Sequence, residues 1–147
     1  MSEQNKALVR RSFDEVWNQG KFALISELVA ANATFHDANV PGGKFTGPEG
    51  VKQFVQIYRT AFPDVRFTID DQVAEGDKVA TRWTAIGTHK GELMGIAPTN
   101  KRATVTGVDV DRFQDGKVVE AWASYDMLGM LQQLGVVPSM TPAGKPA

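Results

Sequence analysis

Cysteine is absent from the 147 residues of this chain, and histidine occurs only twice, as His36 and His89. The first absence removes disulfides, thiolate nucleophiles and sulfur metal ligands together. With two histidines and no H-E-x-x-H or comparable ligand spacing, no metal site is expected. Nor is there a block of Lys and Arg. Sixteen basic and 17 acidic residues leave a formal net charge of -1, so the electrostatic footprint of a nucleic-acid binder is missing. No run approaches the ~18 apolar residues that a membrane span needs. The opening segment Met1-Ser2-Glu3-Gln4-Asn5-Lys6 is polar and has no apolar signal core. The expectation is a cytoplasmic protein with neither nucleic acid nor membrane as partner.

What is present is 42% hydrophobic and 22% charged residues, enough for one globular domain with its own core, expected over residues 1–137. Residues 138–147, with three prolines and a glycine, read as a disordered tail.

Apolar residues recur at spacings of three and four in Leu8, Val9, Phe13, Val16 and Trp17. This predicts an amphipathic helix from Glu3 to Trp17, stopped by Asn18-Gln19-Gly20. A short helix from Phe22 to Ala30 follows, and then an extended piece, Thr34-Phe35-His36-Asp37. A loop rich in Pro and Gly leads to Pro48, which sits in the first turn of a helix over Glu49 to Phe62. Beyond Pro63 the period changes to two, and Val65 to Ala74, Lys78 to His89 and Arg102 to Tyr125 read as strands. The segment Lys90 to Asn100 is a loop with Leu93, Met94 and Ile96 on it. It is either a flap over a pocket or a loop folded back on the core. His89, at a strand end, is expected at the surface. Helices followed by largely antiparallel strands describe an α+β domain.

The last strand pair carries a carboxylate, Asp109, in mid-strand, where a half-buried sheet favours an apolar residue. Two registers are open. A two-residue Asp115-Gly116 turn sets Asp109 opposite Trp122, on the face away from Ala121, Ala123 and Tyr125. A three-residue loop with Gly116 as a bulge sets Asp109 opposite Ala121 and on one face with Ala123 and Tyr125. The second is preferred, because it gathers Val105, Gly107, Asp109, Phe113, Val119, Ala121, Ala123 and Tyr125 into a small, apolar floor with a single acid. Asp126 reads as the cap of a final helix beginning at Met127.

Taken in order, Val16-Trp17-Asn18-Gln19-Gly20, Thr34-Phe35-His36, Gly47-Pro48-Glu49-Gly50, Gly95-Ile96-Ala97-Pro98-Thr99-Asn100-Lys101, Arg112-Phe113-Gln114-Asp115-Gly116-Lys117 and Leu131-Gln132-Gln133-Leu134-Gly135 resemble the SnoaL-like polyketide cyclases, or ester cyclases, of the nuclear transport factor 2-like superfamily. The likeness runs over residues 4–136. It implies a cone-shaped barrel in which a strongly bent, mostly antiparallel sheet wraps round the N-terminal helices and a C-terminal helix closes one end. It also implies an apolar pocket, no metal or organic cofactor, and ring closure by intramolecular aldol condensation through an acid/base side chain.

Carried over residue by residue, the family's pocket places Trp17 at the end of the first helix and His36 after the second. Asp109 stands where the founding cyclases have a pocket histidine, and Ala123 where they have their essential aspartate. Asp109 and His36 are therefore the expected catalytic residues. Trp17, Tyr58, Trp83, Met94, Ala123 and Tyr125 are expected to meet the substrate, a small hydrophobic molecule, although alternation alone leaves open whether Trp83 or Arg82 points inward. Because an alanine moves no proton, a binding protein that has lost catalysis is the alternative. An Asp/Arg/Asp epoxide hydrolase arrangement stands third and requires an inward Arg82. Trp122 and Val108, beside Glu120 and Arg112 on the outer sheet face, point to a homodimer.

Overall fold

The computed structural model describes residues 2–140. Helix α1 spans Ser2–Arg11 and continues as a wider π-helical turn over Ser12–Trp17. Asn18, just beyond, exchanges two hydrogen bonds with the backbone of Phe67, at 3.1 and 2.7 Å, and so ties the helix end to the sheet. A 3₁₀ turn at Phe22–Leu24 leads to the short α2, Ile25–Leu28. Strand β1, Val29–Asp37, begins five residues before the expected extended piece, and the expected helix ends earlier to match. Val29 pairs with Val118, so the sheet takes residues whose short apolar run suits either structure.

Strand β2, Lys44–Thr46, precedes helix α3, Gly47–Ala61, with Pro48 in its first turn. Then come β3, Arg66–Glu75; β4, Lys78–Thr88; β5, Arg102–Gln114; β6, Lys117–Tyr125; and α4, Met127–Gln133. The strand boundaries lie within a residue or two of those expected from the period-two pattern. Asp126 caps α4 as expected, its Oδ1 accepting the Gly129 N–H at 2.8 Å. Gln133 docks that helix by bonding both the N–H and the carbonyl of Thr104.

The strands form one sheet in the order β2-β1-β6-β5-β4-β3. Every neighbouring pair is antiparallel except β1 with β6, which run parallel. The α+β class therefore holds, with N-terminal helices on the sheet and a helix at the C-terminal end. The sheet is mixed and not closed into a barrel, for β2 and β3 remain separate edges. Two apolar clusters fill the space between helices and sheet. One is built around Phe13, Phe62, Trp83 and Leu134, the other around Val16, Ile25, Leu28 and Val55. Residues 138–140 carry no regular structure, and the rest of the expected tail, 141–147, lies outside the described residues.

Candidate active site

The floor of the site is the β5–β6 hairpin, whose register differs in detail from both expectations. The turn is the two-residue one: Gln114 pairs with Lys117, and Asp115 and Gly116 both have positive φ, 52° and 77°, as a type I′ turn requires. One residue further on, the pairing jumps from Phe113–Val118 to Arg112–Glu120. Val119 is left as the extra residue of a bulge. That single insertion restores the expected face. Asp109 pairs with Ala123, not Ala121, and shares a surface with Tyr125. Val118 takes the inward position expected of Val119, and the floor holds more than one acid, since Asp111 also points inward.

Two adjoining cavities lie between this floor and the helices, with Trp17, Phe54, Asp109 and Ala123 in the wall of both. The first is almost wholly apolar. It brings together six of the expected site residues, Trp17, Tyr58, Trp83, Asp109, Ala123 and Tyr125. Trp17 is held in place through its carbonyl, which accepts from the Arg59 guanidinium on α3. Trp83 is the inward member of its pair, and Arg82 lies outside, 3.8 Å from Asp70. The Asp/Arg/Asp arrangement is therefore not assembled.

Asp109 accepts a hydrogen bond from the indole N–H of Trp83 at 3.1 Å. Desolvation pushes its carboxyl up to about 7, against the lowering by that indole and with a further push from the charge of Asp37. Burial raises Asp111 well above its ordinary value, and the Asp109 charge adds to this. The hydroxyls of Tyr58 and Tyr125 are hydrogen-bonded to each other at 3.1 Å. Burial raises both tyrosines, and Asp37 contributes to each. The result is a carboxylate of near-neutral pKa facing a pair of protonated phenols in an apolar space, which suits general acid–base chemistry on carbon.

The expected places of Met94 and His89 need correction, and His36 sits apart from the first cavity. His36 lies on the outer side of β1, because strand alternation sends its neighbours Phe35 and Asp37 inward, beside Ala121 and Ala123. Its Nε2 meets Glu120 at 2.8 Å and its ring stacks on Trp122, so it reaches only the second cavity, at its edge. Met94 lines neither cavity and is 52% exposed. Leu93 and Ile96 exchange backbone hydrogen bonds in a tight turn that buries Leu93 and turns Met94 out. His89 is buried rather than exposed, packed on Phe62, with its Nδ1 accepting the Thr99 N–H at 3.2 Å. Asp37 is the residue the sequence reading missed. It is 2% exposed and lines the second cavity with Asp109 and Asp111. The signal was its parity with Phe35, an apolar residue two positions earlier.

The SnoaL-like polyketide cyclase family pattern aligns with residues 7–134. Aklanonic acid methyl ester cyclase DnrD of Streptomyces peucetius is 29% identical over 138 residues, covering 93% of this chain and 94% of its own. Among solved structures, IdmH of Streptomyces antibioticus, provisionally a polyketide cyclase, superposes with a TM-score of 0.78 at 36% identity, over 90% of this chain and 99% of its own. AclR of Streptomyces galilaeus, provisionally a hydroxylase, gives 0.83 at 30% identity over 97% of this chain and 87% of its own. The family pattern along residues 7–134 and the agreement with these chains over nearly the whole length lead to one conclusion: this protein belongs to the SnoaL-like polyketide cyclase family.

Proposed function

We propose that this protein is a cyclase that closes a ring by intramolecular aldol addition, with Asp109 as the general base and no cofactor. The observation that carries the reading is Asp109 itself, a carboxyl raised to about 7 in an apolar cavity and oriented by the Trp83 N–H at 3.1 Å. A base poised near neutral pH is what abstraction of a carbonyl-activated C–H proton asks for. The aromatic walls, Trp17, Tyr58 and Trp83 among them, suit a planar ring substrate.

In the proposed reaction the carboxylate of Asp109 takes the C–H proton, and the electron pair delocalises onto the substrate's carbonyl oxygen. The Tyr58–Tyr125 hydroxyl pair donates to that oxygen. The enolate carbon then bonds to a second carbonyl carbon of the same molecule. The alkoxide so formed takes back the proton held on Asp109, and no atom is gained or lost. Kinship to a protein named aklanonic acid methyl ester cyclase supports the reaction class.

The test is exchange of an acidic C–H with deuterated water, using a panel of small β-dicarbonyl compounds and polycyclic aromatic ketones, with binding followed by tryptophan fluorescence. Wild type is expected to bind and exchange, and Asp109→Asn to bind without exchanging. Binding by both and exchange by neither would favour the non-catalytic reading that Ala123 invites. A homodimer through the outer face, where Trp122 remains 38% exposed, is also proposed. A monomer mass in light scattering would remove it.

A further inference from the structure

Asp37 ends β1, and its two carboxylate oxygens have different fates. Oδ1 accepts the backbone N–H of Asn39 at 2.9 Å, a local turn that fixes the side chain. Oδ2 is buried, and no hydrogen bond of ordinary length reaches it among the described residues, although the Tyr125 hydroxyl comes near enough to this carboxyl for Asp37 to help keep it protonated. Buried acceptors in native proteins are nearly always satisfied, so an orphan oxygen in a cavity wall points to a donor that comes with the ligand. Parallel pairing with Ala123 turns this carboxylate to the inner face, where it shares a cavity with Asp109 and Asp111. The abstraction step makes no use of it.

We propose that Asp37 determines substrate specificity, its Oδ2 accepting a hydrogen bond from a hydroxyl or enol O–H carried by a ring substrate. The assignment rests on the cyclase reading of the cavity and deepens it by naming a group the substrate must carry. The chemistry of the cavity wall favours a donor at this point. Oδ2 of Asp37 is a buried acceptor without a hydrogen-bond partner among the described residues, and a ligand carbonyl set against it would face lone pairs. A hydroxyl on a planar ring satisfies the orphan oxygen while the ring stays against the aromatic wall.

The probes are 2-hydroxyanthraquinone and 2-methoxyanthraquinone, titrated against the full chain and followed by quenching of tryptophan emission. Wild type is expected to bind the hydroxylated probe at least about tenfold more tightly, the effect of one hydrogen bond to a charged group. Asp37→Asn keeps an acceptor for the Asn39 N–H and replaces Oδ2 with a donor, so the preference is expected to vanish. Ala123→Ser supplies an internal hydroxyl beside Asp37 and is expected to erode the preference with Asp37 intact. Equal affinities in wild type, failure of the hydroxylated probe to bind, or a preference that survives both substitutions would overturn the proposal, the last by marking the bulk of the methoxy group as the cause. Probe selectivity reads no proton abstraction, so its failure is distinct from failure of Asp109→Asn to stop exchange.

Discussion

Asp37 and Ala123 are partners in the parallel pairing of β1 with β6. Where the resemblance implies a carboxylate, at position 123 of β6, there is an alanine, and a carboxylate stands on the neighbouring strand. Ala123 is thus a vacancy in one strand and not in the cavity as a whole. The acid that faces it is buried and keeps one oxygen without a partner.

Stability should fall as pH rises across the range in which Asp109 titrates. Its folded pKa of about 7 lies above the ordinary carboxyl value of 3.8. The native state therefore holds the proton where the unfolded chain has lost it, and the resulting stability is complete at low pH and disappears as pH rises through about 7. Asp109→Asn should match wild type near pH 4 and exceed it near pH 8, by on the order of 4 kcal/mol at most. Urea midpoints at the two pH values check this, and equal midpoints near pH 8 would contradict it. Asp111, raised by burial as well, leaves a shallower slope in the variant.

Trp83→Phe removes the N–H that lowers Asp109. The acid limb of the exchange rate against pH should move up by about one pH unit, with the rate recovering above it. A uniform loss at every pH, with no movement of the limb, would mean that the indole only packs.

His36→Gln should leave exchange within about tenfold of wild type, because the imidazole bonds Glu120 on the outer face. Asp109→Asn should lower exchange by about 10²–10⁴. A loss of that size at His36 would place it in the catalytic set beside Asp109.

Gly107→Ala should destabilise the fold by about 1–3 kcal/mol and weaken ring binding. A Cβ there would come within 2.8 Å of both Trp83 Cε2 and Tyr125 Cβ, forcing the indole away from Asp109. Thermal melts and the anthraquinone titration measure the two effects, and an unchanged affinity would show that the cavity absorbs the methyl group.

The strands were legible because alternation is a local signal, and so was the face shared by Asp109, Ala123 and Tyr125. The device that sets that face was not. A bulge at Val119 and a three-residue loop give the same parity, and nothing near Val119 distinguishes them. Met94 and His89 were misplaced because loop residues 90–100 have no period to read. His89 is drawn in by its own backbone bond to Lys101 and by those of Lys90 and Gly91 to Ala61, while the Leu93–Ile96 turn leaves Met94 outside. His36 reaches the second cavity and not the first, a placement that the alternation of Phe35 and Asp37 already carried in the sequence.

By itself the sequence determined the order and type of the longer elements, though not the edge strand β2, which reads as loop, together with the apolar stripe ending at Trp17, the cap at Asp126 and the absence of thiol chemistry. Each depends on composition or on residues within a few positions of one another. The tertiary structure alone decided that β1 runs parallel to β6, that Asp37 therefore faces Ala123, that the Trp83 N–H reaches Asp109, and that burial lifts this carboxyl towards neutrality. Those are properties of contacts between distant segments and of the low-polarity space they enclose, which no local spacing encodes.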